Sequence, residues 1–206
     1  MPLLHRRTLL VSAAALAATA ALPARAATAG QRAPDFSLPD VNGKPVRLSD
    51  YRGKFVVLEW TNPGCPFVRK HYDSGNMGAT QKAARDQGVV WLSINSTEKV
   101  STDYMEPAKL AAWLKERHNL ASAVLMDEDG TVGRSYNAMT TPHMYIVDPQ
   151  GVLVYAGGID SIPSARVADI EKATNYVKAA LGDMAAQRPI GQPVTKPYGC
   201  SIKYKT

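Results

Sequence analysis

The stretch Phe55-Val56-Val57-Leu58-Glu59-Trp60-Thr61-Asn62-Pro63-Gly64-Cys65-Pro66 decides how the 206-residue chain is read. Its first six residues, apolar apart from Glu59, make the short run expected of a central strand covered on both faces. Thr61 to Gly64 reads as a loop. Cys65-Pro66 then opens a helix, since proline fits the first turn, where its missing N–H has no partner to lose. A cysteine delivered there faces free backbone N–H groups and the positive end of the helix dipole, and both stabilise a thiolate. Arg69, one turn later, can lean back and add a positive charge. Glu59 admits two readings: a carboxyl buried in the strand, with raised proton affinity suited to a base, or a solvated residue at the sheet rim.

Working outward, Asp35 to Leu38 and Pro45 to Leu48 flank Asn42-Gly43, a pair that accepts the positive φ angles of a tight turn, so two short antiparallel strands are expected. Downstream of Cys65 the helical composition runs to about Gln87 with a break at Ser74-Gly75. Val89 to Ile94 is a second buried strand. Pro107 opens a helix with Leu110, Ala111 and Leu114 on its apolar face. Val124 to Met126, Met144 to Val147 and Val152 to Tyr155 read as strands. Ser164 to Met184 reads as a last amphipathic helix with Val167, Ile170 and Val177 on one face. Strands alternating with helices and ending in a strand hairpin give an α/β chain. From Arg188 onward Pro189, Pro193 and Pro197 recur with Gly191 and Gly199 between them, which excludes a helix and predicts an extended tail carrying Cys200.

Composition narrows the function. The chain is 45% hydrophobic and 20% charged, as a folded chain is. Half of its formal +6 comes from Arg6, Arg7 and Arg25 in the first 26 residues, so no nucleic-acid partner is expected. Those residues read as an export signal: His5-Arg6-Arg7, then fourteen apolar or small residues from Leu9 to Leu22, then Ala24-Arg25-Ala26 as a cleavage site. Arg6-Arg7-Thr8-Leu9-Leu10 resembles a twin-arginine leader. The expected organisation is a signal peptide over 1–26, one domain over 27–187 and a tail over 188–206. The protein is then periplasmic and meets the membrane only during export. In an oxidising compartment a pair of cysteines, Cys65 and Cys200, suggests a disulfide.

From Val56 to Pro66 the chain resembles, without a gap, the active-site segment of the thioredoxin superfamily. Thr141-Pro142, just before the strand at Met144, resembles that superfamily's cis-proline loop, which offers backbone to an extended substrate. Ala33-Pro34-Asp35-Phe36 with the Asn42-Gly43 hairpin resembles the start of peroxiredoxin, or alkyl hydroperoxide reductase and thiol-specific antioxidant, domains. The resemblance covers nearly all of residues 30–185. It implies a thioredoxin-like fold, with a mixed central sheet, helices on both faces and an N-terminal β-hairpin. It also implies that Cys65 is the nucleophile, that Glu59 is the buried carboxylate held six residues before it, and that Thr141, Pro142 and Pro66 bind substrate.

Two departures qualify that resemblance. Val68 stands where the second cysteine of Cys-x-x-Cys belongs, so only Cys200, brought in by the tail, or a second molecule can resolve an oxidised Cys65. The peroxiredoxin pattern Pro-x-x-x-Thr-x-x-Cys fails in both registers: ending at Cys65 it meets Leu58 and Asn62, and ending at position 68 it meets Thr61, Cys65 and Val68. The expectation is therefore an exported thiol-based oxidoreductase of the single-cysteine, peroxiredoxin-like branch, with catalytic residues Cys65, Cys200, Glu59 and Arg69. Its partners would be protein thiols and disulfides or a small oxidant, together with a periplasmic reductant. The alternative is a non-enzymatic thioredoxin-fold protein that binds a metal or a partner, with Cys65–Cys200 as a structural disulfide. His71 and His143 both stand near the expected site, but the superfamily's copper chaperones use Cys-x-x-x-Cys, which is missing, so neither a metal nor a cofactor is expected.

Overall fold

The computed structural model describes residues 27–205, so the expected leader lies outside the described residues. A hairpin comes first, β1 (Ser37–Pro39) against β2 (Pro45–Arg47), with Gly43 at φ +80 in the turn between them. β3 (Val56–Trp60) follows, buried at all five positions, and leads through the loop to α1 (Pro66–Asp73). Gly75 at φ +75 separates α1 from α2 (Asn76–Asp86), a conformation that favours glycine. Next come β4 (Val90–Asn95), α3 (Pro107–Glu116), β5 (Ala123–Met126) and the short α4 (Thr131–Ser135). β6 (Thr140–Thr141), β7 (His143–Val147), β8 (Leu153–Gly157), α5 (Tyr176–Ala185) and β9 (Cys200–Ser201) complete the chain.

The central sheet runs β5-β4-β3-β7-β8, with β3 parallel to β4 and antiparallel to β7. Alternation along β3 divides the core. Val57 points into a cluster with Val68 and Tyr72 of α1, Met77 of α2, Leu110 and Leu114 of α3, and Val177 and Leu181 of α5. Val56, Leu58 and Trp60 point the other way, onto Leu38, Val46, Val132 and Tyr136. Helices thus cover both faces unequally: four on one, the single turn of α4 beside the hairpin on the other.

The last expected helix starts later than its apolar spacing predicts. The helix read over Ser164 to Met184 starts only at Tyr176, and a 3₁₀ turn at Val167–Asp169 stands where its first half was expected. Val167 is 51% exposed, so the helical spacing of Val167 and Ile170 has no core to bury against. Asn175 sets the true start: its side chain accepts from the Lys178 N–H at 2.9 Å, and the Tyr176 N–H is already spent on the Ile159 carbonyl at 2.9 Å.

The tail is extended. Thr195 donates its N–H to the Ala156 carbonyl at 3.1 Å along the β8 edge, and β9 then pairs antiparallel with β6, Thr141 opposite Cys200. Among the described residues no helix is long and apolar enough to cross a membrane.

Candidate active site

Three segments meet at the C-terminal end of β3. The first is the loop into α1. Asn62 organises it: its carbonyl accepts the Cys65 N–H at 3.0 Å, its side-chain oxygen accepts the Gly64 N–H at 2.7 Å, and its amide donates to Thr97 Oγ1 at 2.7 Å and to the Asp103 carbonyl at 3.2 Å. Cys65 is the residue that caps α1, Pro66 occupies the first helical position and is exposed, and Cys65 itself is 2% exposed. Arg69 donates from Nε to the Pro63 carbonyl at 2.8 Å, so this exposed side chain leans back over the loop.

The second segment is Thr141-Pro142, whose peptide bond is cis. The Cys65 thiol donates to the Thr141 carbonyl at 3.0 Å. The third is the tail. Register places Cys200 opposite Thr141, and the two cysteine side chains are within hydrogen-bonding reach of each other. Both are free thiols in this structure. Burial pushes the Cys200 thiol up to about 12, and the hydrogen bond to Cys65 and the charge on Cys65 push in the same direction. Cys200 therefore keeps its proton near neutrality. The cavity left between the segments measures about 30 Å³ and is lined by Thr61, Asn62, Cys65, Thr141, Cys200 and Ile202 among others. That is room for little more than a water molecule.

Glu59 is fully buried, which excludes the rim reading. Its carboxylate accepts from Trp91 Nε1 at 2.8 Å, Tyr72 Oη at 2.9 Å and Ser93 Oγ at 3.0 Å. Burial pushes the Glu59 carboxyl above its ordinary range, and those donors oppose the shift only in part. None of these donors is a cysteine.

The two histidines are engaged elsewhere. His71 faces Asn76, Asp160 and Tyr198; His143 Nδ1 receives the Met139 N–H at 3.3 Å and lies 3.2 Å from the Tyr145 hydroxyl. Among the described residues no group of three or more His, Cys, Asp or Glu side chains is placed to hold a metal ion.

The pattern of the AhpC/TSA family matches residues 29–156, from the segment before the hairpin through most of β8. The chain belongs to the AhpC/TSA family. It is similar to the thiol-disulfide oxidoreductase ResA of Geobacillus kaustophilus, 32% identical over 127 residues, 61% of this chain and 67% of that one. It is also similar to the peroxiredoxin Bcp of Bacillus subtilis, 27% identical over 117 residues, 52% of this chain and 62% of that one. Among solved structures, that of a hypothetical protein from Sinorhizobium meliloti 1021 superposes with a TM-score of 0.76 at 24% identity, over 88% of this chain and 97% of its own. The fold is thioredoxin-like, and the chain is kin to thiol–disulfide oxidoreductases and peroxiredoxins.

The chain departs from the peroxiredoxin pattern at the position where that pattern holds threonine. Asn62 stands there, and all of its hydrogen bonds hold the loop and none offers a hydroxyl to the sulfur. The tail's seat beside Cys65 was only partly legible in the sequence, because a two-residue pairing between β6 and β9 leaves no periodic pattern. A better signal is Gly199. It sits at φ +140, and a Cβ there would run into the Thr141 carbonyl oxygen, so glycine before the cysteine is what allows the strands to meet.

Proposed function

We propose that the protein is an exported thiol–disulfide oxidoreductase in which Cys65 and Cys200 are the two halves of one redox pair. The observation that carries this reading is the pairing of Cys200 opposite Thr141, the residue whose carbonyl accepts from Cys65. The tail thereby supplies the partner that Val68 withholds at the end of the first helical turn.

In the reductive direction the Cys65 thiolate attacks one sulfur of a substrate disulfide. A Cys65–substrate mixed disulfide forms, and the first substrate thiolate leaves and takes up a proton. Cys200 then gives up its proton and attacks the Cys65 sulfur. The Cys65–Cys200 disulfide forms, the second substrate thiolate leaves, and two electrons have passed to the substrate. A periplasmic dithiol reductant returns the pair to the reduced state. Arg69, held over the loop by its bond to the Pro63 carbonyl, keeps a cation beside the segment that presents Cys65. Glu59, whose proton affinity burial has raised, serves as the proton store. Thr141, Pro142 and Pro66 form the face on which an extended protein substrate lies, so the tail must lift for it to enter.

Trapping tests this. With Cys200→Ser, a protein disulfide substrate should accumulate as a mixed disulfide on Cys65, visible on non-reducing gels and by peptide mass. Wild type should release it, and Cys65→Ser should trap nothing. Trapping that is equal in wild type and Cys200→Ser would remove Cys200 from the reaction.

A further inference from the structure

Two residues before Cys200, the tail enters a buried polar cluster that the chemistry above does not use. Lys70, on α1 five residues past Cys65, has a fully buried side chain, and its Nζ lies 3.1 Å from Asp160 Oδ2 in the segment after β8. The Tyr198 hydroxyl donates to Asp160 Oδ1 and accepts from Lys70 Nζ at 3.1 Å. His71 completes the group. The Asn76 amide meets its Nδ1 at 2.8 Å, which assigns the ring proton to Nε2, 3.4 Å from the Tyr198 oxygen and 3.6 Å from Asp160 Oδ2. Burial holds the His71 imidazole down at about 4, so near neutrality the cluster contains one cation and one anion. The Tyr198 ring also stacks edge-on against Phe67 of α1, with centroids 5.7 Å apart.

A buried ion pair is a poor way to gain stability, because removing two charges from water offsets most of their attraction, and apolar side chains of the same volume do as well. What directional ionic contacts add is register. The Tyr198 hydroxyl satisfies Asp160 and Lys70 at once. Cys65 caps α1 and Cys200 begins β9, so this one contact links the elements that present the two sulfurs. Tyr198 stands two positions before Cys200, a reach of at most ~7 Å. A displacement of Tyr198 is passed on to the Cys200 sulfur.

We propose that Tyr198, seated on the buried Lys70–Asp160 pair, is a positioning residue for Cys200 that sets the sulfur-to-sulfur geometry of the redox pair. This rests on the reading of Cys65 and Cys200 as that pair. Tyr198→Phe keeps the ring and its contact with Phe67 and removes only the hydroxyl. Lys70→Met combined with Asp160→Asn removes both charges at once, so neither ion is left buried alone. The measurement is the equilibrium between the Cys65–Cys200 disulfide and glutathione in the full chain, read by alkylation and peptide mass. Each variant should weaken the intramolecular disulfide about tenfold, raising the potential of the pair by about 30 mV. A general loss of stability shared by both redox states would not move that equilibrium. If wild type forms the disulfide and both folded variants match its constant, the positioning role is overturned while the redox pair stands. If wild type never forms it, the pair reading fails and the positioning role falls with it.

Discussion

At the scale of single residues the site depends on what is absent as much as on what is present. Gly199 lacks the side chain that would push β9 off Thr141. We expect Gly199→Ala to loosen the tail and to raise the rate of Cys65 alkylation by a small iodoacetamide reagent about tenfold, by favouring a local opening. An unchanged rate would mean that the tail does not gate the sulfur. Asn62 likewise replaces a threonine hydroxyl with an amide committed to Gly64, Thr97 and Asp103. Cys65 should therefore react with hydrogen peroxide no faster than an ordinary thiolate. Stopped-flow rates orders of magnitude higher would show that other residues activate peroxide. The placement of Cys65 was readable because strand and helix start are local patterns, whereas Pro142 came only with the resemblance and Glu59 stayed open between a buried and a solvated place until the structure buried it. The cluster of Lys70, Asp160 and Tyr198 was not readable, because its members are scattered along the chain and a buried lysine looks in sequence like any solvated one.

Among the elements, α5 shows where a pattern misleads. Helical spacing of apolar residues from Val167 onward was legible, but spacing forms a helix only where the stripe meets a core, and Val167 is exposed. The start at Tyr176 is set by the Asn175 cap, which also reaches Thr80 Oγ1 at 3.1 Å and so ties α5 to α2. Asn175→Ala should cost about 1 kcal/mol, typical of a lost N-cap. For a domain of this size that lowers Tm by roughly 2–4 °C in a thermal scan. A larger effect would assign the tie to α2 more weight than the cap, and no effect would show that the helix is held by packing alone. The central strands were legible because runs such as Val56 to Trp60 need no partner to be recognised. α4 was not, since a five-residue helix presents barely one period.

For the whole molecule, buried titratable groups set how stability follows pH. His71 and His143 are held at about 4 against an ordinary 6.5, both by burial first. Between those values the unfolded chain binds protons that the folded chain refuses, so their contribution is complete above 6.5 and is lost as pH falls toward 4. Glu59 acts in the opposite sense. Burial raises its carboxyl above 4.5, so the folded state keeps a proton that the unfolded state releases, and stability from this group is present below 4.5 and declines as pH rises. Measured Tm should fall as pH drops from 6.5 to 4, and the difference between Glu59→Gln and wild type should shift in the variant's favour from pH 4.5 to neutrality. Parallel curves would contradict the burial of Glu59.

On the proposed reading the fold serves one geometry: a sulfur at the start of α1, and a tail that runs along the β8 edge and pairs with β6 to bring a second sulfur to it. A redox titration of the full chain against defined thiol–disulfide buffers, with differential alkylation and peptide mass spectrometry of Cys65 and Cys200, tests that claim most directly. The account predicts that the Cys65–Cys200 disulfide forms and breaks in one two-electron transition, at a potential above the roughly −300 mV below which structural bridges lie. Two cysteines never found linked at any potential, or linked by a bond reduced only below that value, would contradict it.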